Sequence, residues 1–259
     1  MSKITARDIT DFLQYLVDRP NPLRDKTIAP IMRSICRFLF QSEKIKTNLA
    51  IGIPSVAQKY ARRIPYHLTP DQVETLLQAV RTLSTSKCRK RDYAMVLLLA
   101  RLGLRPTEVI AVRLDDINWR SGEIIIRGKG SFHDKVPLLE DIGHAIADYI
   151  QHGRKGSSRY LFVGNRTPHQ PFKNAQIVNS ILKQALRATD IPRPKQYTVS
   201  YILRHSLATN LVRHGASLEE ISNTLRHRSR QTTLLYARQD IDGLRTIAQS
   251  WPLAEGGLS

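Results

Sequence analysis

The chain has 259 residues, of which 41% are hydrophobic, and its 40 Lys and Arg residues exceed its 22 Asp and Glu residues by 18. A surplus of this size indicates a polyanionic partner, most simply nucleic acid, although ribosomal and membrane-surface proteins share it. No apolar run approaches the roughly 20 residues that cross a bilayer, and no signal-peptide pattern is visible, so we expect a cytoplasmic protein without a membrane partner.

Residues 1–60 are predicted to form a small helical domain. Apolar residues recur with helical spacing in residues 9–16 and again in residues 28–39. The segment that follows carries basic residues and Pro65 but no sustained amphipathic period. We therefore place a linker at residues 61–68.

A row of basic side chains lies on the second of these predicted helices. By the 3.6-residue period, Arg33, Arg37 and Lys44 fall on one face, opposite the apolar stripe. A solvated polar face is the ordinary explanation of such a row. Because both sides of the linker carry a basic surplus, as two halves of a clamp around DNA would, we predict that these three side chains contact DNA.

Beyond the linker, a helix is predicted to begin at Thr69, because Thr69-Pro70-Asp71-Gln72 has the arrangement of a capping box with proline at the first helical position. Residues 93–102 are apolar on nearly all sides, which predicts a buried helix that Gly103 ends in the left-handed conformation. Arg105 then opens another helix with Glu108 in its first turn. Its guanidinium should project from a rigid corner between two packed helices.

The run of residues 123–138 alternates two β-rich stretches around Gly128-Lys129-Gly130, which predicts an antiparallel hairpin with Lys129 in its turn. A lysine in a glycine turn is usually just solvated. The sequence contains no phosphate-binding loop, and Cys36 and Cys88 lack the spacing of a zinc site, so no nucleotide, metal or other cofactor is expected. Further helices are predicted at about 141–152, 174–188, 200–213, 217–225 and 230–237.

Several side chains suit the transfer of a DNA phosphodiester to a protein nucleophile. Such a transfer builds charge on the phosphoryl oxygens, which two arginines can bind in bidentate fashion, and Arg105 and Arg204 are the candidates. A lysine such as Lys129 can protonate the leaving 5′-oxygen. Tyr236 can attack the phosphorus and preserve the bond energy without ATP or metal, while His227 can hydrogen-bond the phosphate or assist deprotonation.

In order and spacing, these residues resemble the motifs of the tyrosine recombinases, the phage-integrase family. The similarity covers residues 69–245 well and residues 1–60 more loosely, as a core-binding domain that is short for the family. The segment after Tyr236 also resembles the tails of recombinases carried by transposons and other mobile elements. The matching stretches are ARLGLRPTEVIAVRLDDI, IIIRGKGSFHDKVPL and YILRHSLATNLVRHGASLEEISNTLRHRSRQTTLLYA.

The resemblance implies a mainly α fold, in which a small helical, SAM-like core-binding domain precedes a mostly helical catalytic domain at 69–245 with a small antiparallel β-sheet. It implies site-specific strand exchange for the integration, excision or transposition of a mobile element. Four protomers would assemble on two double-stranded DNA sites, with sister recombinases as further partners. The tail at 246–259 would dock on a neighbouring protomer, and the protein would act in the cytoplasm, at the bacterial nucleoid.

Carried over by position, the resemblance also implies the role of each site residue. Arg105 and Arg204 would clamp the scissile phosphate, and Lys129 would act as general acid. His227 would support the phosphate, and Tyr236 would form the 3′-phosphotyrosyl link.

Three positions depart from the family pattern. Tyr201 stands where members usually place a histidine, and a phenol with a pKa of about 10 is a poor proton shuttle at neutral pH. Cleavage is therefore expected to be slower by about 10 to 100-fold. Pro106 follows the first arginine, and Arg226 precedes His227 where a glycine is common. Arg226 is expected to add a DNA contact.

Two further residues are expected to be structural. Glu108 would hold an arginine in place, although an ion pair with Arg105 could also be an ordinary helix cap. His205, next to Arg204 in the sequence, is expected to be a buried, hydrogen-bonded support rather than a ligand.

Two other functions stay open at this point. A non-cutting member of the family could use the same basic clamp as an accessory DNA-binding protein, which Tyr201 and the short N-terminal domain favour. A type IB topoisomerase would share the arginines, lysine, histidine and tyrosine but would need no specific DNA site.

Overall fold

A computed structural model describes residues 4–17, 25–53, 66–83, 87–128, 133–192 and 198–226, together with Thr233 and Tyr236. Within these residues the chain is mainly α-helical with one three-stranded antiparallel sheet, the fold class that the sequence predicts. The chain divides into two compact units, residues 1–63 and 64–259. None of the helices described is long and apolar enough to cross a membrane.

The first unit is built on two helices and a short 3₁₀ helix. α1 (Ala6–Val17) begins with Thr5 and Asp8 capping each other's backbone N–H groups at 2.7 and 3.3 Å. α2 (Asp25–Gln41) and the 3₁₀ helix Leu49–Gly52 follow. The small core that they share consists of Ile9, Ala29, Cys36, Ala50 and Ile53.

Burial on α2 differs from what its apolar stripe suggests. The large residues of the stripe, Ile31, Ile35 and Phe38, are 52%, 46% and 62% exposed, whereas Ala29 and Cys36 are buried. Helical spacing puts the two sets on different faces, so α2 has two apolar faces, and among the described residues the face with Ala29 and Cys36 packs within the unit.

The predicted basic row on α2 is also interrupted. α2 has ended before Lys44, because Glu43 takes a left-handed conformation with φ 56° and the Lys44 N–H donates to the Leu39 carbonyl at 2.9 Å. Lys44 consequently lies beyond the helical face that carries Arg33 and Arg37. Arg37 and Lys44 are exposed and Arg33 is half-buried.

One buried helix forms the centre of the second unit. Residues 94–100 of this helix, α4 (Arg89–Leu102), are all buried, as their apolar sequence predicts. α4 packs against the helices on either side of it in the chain and against three later ones. The helices of the second unit are α3 (Pro70–Leu83), α4 (Arg89–Leu102), α5 (Pro106–Ala111), α6 (Glu140–His152), α7 (Gln176–Arg187), α8 (Val199–Arg213) and α9 (Leu218–Thr224).

The sheet covers one side of this core. β1 (Ile117–Asn118), β2 (Glu123–Arg127) and β3 (His133–Pro137) lie in the order β1-β2-β3. On β2, Ile124 and Ile126 are buried and alternate with half-buried neighbours, and they pair with Val136 and Asp134 of β3. The predicted hairpin is thus confirmed, while Lys129 in its turn lies outside the described residues.

Local capping signals account for the ends of two core helices. The Thr69 N–H donates to Gln72 Oε1 at 3.0 Å and the Gln72 N–H to Thr69 Oγ1 at 3.3 Å, which is the predicted capping box at the start of α3. α4 ends at Gly103, with φ 58° in the left-handed region. Of the helix predicted at 230–237, only Thr233 and Tyr236 are described, and both are helical.

We expect Gly103→Ala to destabilise the protein by about 3 kcal/mol, because an added Cβ would combine backbone strain with overlap. That Cβ would lie 2.7 Å from Leu225 Cδ2. Gly122→Ala is the matched control, since Gly122 has φ 64° but open space around its Cβ position, and it should cost only about 1 kcal/mol. Denaturant unfolding followed by circular dichroism measures both, and equal losses would show that the close packing at Gly103 contributes nothing.

Candidate active site

Arg105 is held at the start of α5 by Glu108. The Arg105 backbone N–H donates to Glu108 Oε2 at 2.8 Å, and its guanidinium Nη1 donates to Oε1 at 2.7 Å. The Glu108 side chain is 6% exposed, whereas that of Arg105 is 45% exposed. The buried carboxylate thus fixes one edge of the guanidinium, and much of the group still faces solvent.

The carboxylate of Glu108 is stabilised in its ionised form. Burial alone would raise the pKa of Glu108, but the hydrogen bonds from Arg105 and the positive charges of Arg226 and Arg105 together hold this pKa below its ordinary value. Glu108 is therefore the anion that keeps these cations together.

Arg204 lies on α8 directly behind this corner. It is 8% exposed, and its guanidinium donates to the backbone carbonyls of Gly103 and Leu225. Burial, together with the positive charges of Arg105 and Arg226, lowers the pKa of Arg204 to about 10. Arg204 consequently remains a cation at neutral pH.

Arg226 points into this cluster. The side chain is 7% exposed, and its Nη2 lies 3.4 Å from Glu108 Oε2, while the DNA contact expected of Arg226 stays a prediction. Its backbone is left-handed, with φ 52°, a conformation that glycine adopts without strain. The side chain turns inward because the buried carboxylate of Glu108 offers it a counter-charge.

Tyr236 is buried with its hydroxyl against His205. The two residues are 1% and 2% exposed, and Tyr236 Oη lies 2.6 Å from His205 Nδ1. Burial raises the pKa of Tyr236 above its ordinary value, although the positive charge of Arg204 acts in the opposite direction. Tyr236 thus lies beside an arginine of the candidate site, with its proton held on the phenol.

Tyr201 lies on the outer side of His205. The two rings meet edge to face, with centroids 3.9 Å apart and planes at 71°. Tyr201 is 42% exposed, so one of its faces remains available to solvent. The tyrosine that replaces the expected histidine therefore packs on the next imidazole in the helix.

The structure brings together most of the predicted site, but not all of it is described. Seven of the predicted residues meet in the second unit: Arg105, Glu108, Tyr201, Arg204, His205, Arg226 and Tyr236. Lys129 and His227 lie outside the described residues, and their roles stay predictions. The sequence did not reveal the inward direction of Arg226 or the bond between His205 and Tyr236. Because glycine is common in the family at the position of Arg226, a left-handed backbone could have been predicted there. Nothing in the sequence indicates the direction of the Arg226 side chain.

Comparison with known proteins finds relatives over nearly the whole chain. The model of the phage integrase family matches residues 67–242. The Sinorhizobium fredii protein y4rA, named as an integrase/recombinase, is 40% identical over 253 residues, which are 97% of this chain and 61% of that protein. The Yersinia pestis tyrosine recombinase XerD is 29% identical over 92% of this chain and 80% of its own length. The chain thus spans less than two thirds of the length of y4rA.

Solved structures share the fold at lower identity. The Tn1549 transposon integrase in complex with circular intermediate DNA has a TM-score of 0.70 and 19% identity, and the alignment covers 94% of this chain and 84% of that one. A lambda integrase dimer bound to a COC' core site has a TM-score of 0.67 and 18% identity, covering 98% of this chain and 69% of that one. At such identities the likeness establishes the fold.

We predict that Glu108→Gln destabilises the protein by about 3 kcal/mol at pH 7, because it leaves the cations of Arg105 and Arg226 close together without a buried counter-charge. Because the pKa of Glu108 is lowered in the folded protein, its ionised form adds stability above the unfolded pKa, and this stability is lost as pH falls through the folded pKa. Wild type should therefore lose more stability on acidification than the variant does.

Denaturant unfolding between pH 7 and pH values below about 4 measures this difference. Glu220→Gln is the control, because Glu220 also has a lowered pKa but is an exposed capping residue. If Glu108→Gln has no larger effect than Glu220→Gln, the buried carboxylate does not stabilise the cluster.

Proposed function

The chain belongs to the phage integrase family, and from this premise we propose that it is a site-specific recombinase that cuts and rejoins double-stranded DNA through Tyr236. The proposed product of cutting is a 3′-phosphotyrosyl link, and the proposed role is the integration, excision or transposition of a mobile element. The name of y4rA as an integrase/recombinase supports this role.

The observation that carries the proposal is the meeting of Arg105, Arg204 and Tyr236, which come from three separated stretches of the chain. The Arg204 guanidinium donates to the Gly103 carbonyl, two residues before Arg105, and the Tyr236 hydroxyl contacts His205, the residue after Arg204. These contacts bring the three groups into one region of the second unit. Arg105 offers its exposed guanidinium to the phosphoryl oxygens, and Arg204 adds positive charge from beneath. A phosphoryl group that gains charge in the transition state is stabilised by such fixed cations.

The remaining roles complete the reaction. Tyr236 Oη attacks the phosphorus, the bond to the 5′-oxygen breaks, and we assign the proton for that oxygen to Lys129. His227 would hydrogen-bond the phosphate. Rejoining is the reverse attack by a 5′-hydroxyl, which needs neither ATP nor metal because the phosphotyrosyl link preserves the bond energy.

Tyr201 is proposed to donate a hydrogen bond to the phosphate from its exposed side. A phenol supports a phosphate in this way, but it exchanges protons poorly at neutral pH. Cleavage slower by about 10 to 100-fold than with a histidine there is the expected cost, and Tyr201→His should raise the rate accordingly.

DNA is the proposed partner, and the charge of the chain supports it. The formal net charge is +18, which suits the phosphate backbone. The similar structures include recombinases bound to their DNA sites. We further propose that four protomers assemble on two sites, that residues 246–259 dock between neighbours, that sister recombinases can join, and that the protein acts at the nucleoid.

A non-cutting accessory role is the second candidate. It is favoured by Tyr201 at the usual histidine position and by a Tyr236 hydroxyl that is almost fully covered. Such a protein would hold DNA through the same cations without ever forming a covalent bond to it.

Covalent capture separates these functions. Wild type and Tyr236→Phe are incubated with a library of nicked duplexes of randomised sequence, and denaturation-resistant protein–DNA adducts are recovered and sequenced. We expect wild type to yield adducts enriched in a common sequence and Tyr236→Phe to yield none, because phenylalanine has no oxygen to attack phosphorus.

The control for capture is Tyr149→Phe, which removes the hydroxyl of another buried tyrosine, one that stacks on Phe162. It should form adducts as wild type does. Binding by wild type without any adduct would support the accessory role. Adducts without sequence enrichment, together with relaxation of supercoiled plasmid, would instead identify a topoisomerase.

The salt dependence of DNA binding tests the proposed contacts of the first unit. The double variant Arg37→Ala/Lys44→Ala should bind DNA more weakly. Its plot of log K against log salt concentration should be less steep by about two, one for each phosphate contact. The control is the double variant Lys183→Ala/Arg187→Ala, which removes the same amount of positive charge from two exposed residues on α7. Equal slopes for the two double variants would assign the effect to net charge and remove Arg37 and Lys44 from the interface.

A further inference from the structure

His205 is a buried imidazole that has no chemical role among the steps of the proposed reaction. Its Nδ1 lies 2.6 Å from Tyr236 Oη, and both residues are at least 98% covered. This separation is at the short end of the range for a hydrogen bond to a hydroxyl. A residue in direct contact with the attacking atom is placed to affect the attack itself.

The attack needs a group that removes a proton from Tyr236. A neutral phenol is a weak nucleophile, and burial raises the pKa of this one further. The guanidinium of Arg204 has N–H donors and no acceptor, so it can stabilise charge but cannot receive the proton. An imidazole with its own proton on Nε2 presents Nδ1 as an acceptor to the phenolic O–H.

Tyr201 is poorly suited to accept the proton of Tyr236. Tyr201 packs against His205 with its ring edge to face, and a phenol is a poor proton acceptor at neutral pH. The family's usual imidazole at position 201 is absent, but His205, four residues or about one helical turn further along α8, has the same chemistry and already contacts the Tyr236 hydroxyl.

We propose that His205 is a catalytic residue that accepts the phenolic proton of Tyr236 as Oη attacks the phosphorus. The inference rests on the proposed function. In the cutting step the Oη–P bond forms and the bond from phosphorus to the 5′-oxygen breaks. The tyrosine proton passes to His205 Nδ1, while Lys129 supplies a proton to the 5′-oxygen. In rejoining, the 5′-hydroxyl returns its proton to Lys129, and His205 returns the other to Tyr236 Oη.

His205→Asn separates proton transfer from positioning. The asparagine amide reaches about as far as Nδ1 and can still accept a hydrogen bond, but it has almost no basicity. With the nicked duplex recovered by covalent capture, we expect its rate of adduct formation to fall by about 100-fold, the scale of general base catalysis. DNA affinity should be unchanged.

His169→Asn is the matched control. His169 is a half-buried imidazole whose Nδ1 lies 3.0 Å from the Gly164 carbonyl oxygen, and its backbone has φ 57°, which asparagine adopts readily. This variant should form adducts at the wild-type rate. Thermal unfolding of each variant sets a temperature at which all are folded, and His205→Ala with added imidazole provides a second test, in which imidazole should restore part of the rate.

A sulfur leaving atom shows which proton transfer is affected. In a duplex with sulfur in place of the bridging 5′-oxygen, the leaving thiolate needs no proton, so the defect of Lys129→Ala should disappear. The defect of His205→Asn should persist, because the tyrosine must still lose its proton.

Three results would overturn the proposal. A near wild-type rate for His205→Asn would reduce His205 to a support for the tyrosine. Full rescue of His205→Asn by sulfur would place its effect on the leaving group. Failure of imidazole to raise the rate of folded His205→Ala would also count against proton transfer. If wild type forms no adduct with either duplex while binding both, the proposed function itself fails, which is a different result from a defect confined to His205 variants.

Discussion

The candidate site depends on one buried cation, Arg204. A guanidinium at 8% exposure is tolerated because the carbonyls of Gly103 and Leu225 accept its hydrogen bonds. These two bonds join α8 to the corner between α4 and α5 and to the end of α9. The corner that carries Arg105 and the end of α9 are therefore positioned from the same point.

Within the described residues, positive charges outnumber negative charges around Arg204. Arg105, Arg204 and Arg226 gather around the carboxylate of Glu108, and burial, together with repulsion from the other two arginines, lowers the pKa of Arg204. The excess of positive charge costs stability in the free protein. A phosphodiester bound there, as proposed, would reduce that cost, so the stability of the site and its proposed affinity for DNA would have the same origin.

Features set by a few neighbouring residues were predictable from the sequence. The capping box at Thr69 and the left-handed end of α4 at Gly103 each depend on contacts along one stretch of chain. The direction of Arg226, the face of α2 that packs, and the bond of His205 to Tyr236 depend on partners that only tertiary structure brings together. The motif residues could be identified by resemblance because their order along the chain is local information, whereas their hydrogen bonds are not.

Under the proposed function, the burial of Tyr236 bears on the safety of the DNA that the protein would contact. A basic protein meets non-specific DNA far more often than its own site. A DNA backbone that merely contacted Arg105 would find no reachable hydroxyl, since Tyr236 is 1% exposed, and it would leave unbroken. Breakage by the proposed reaction would be confined to encounters whose binding free energy is large enough to uncover the tyrosine, which would make recognition a condition of cutting and add a second round of discrimination after binding.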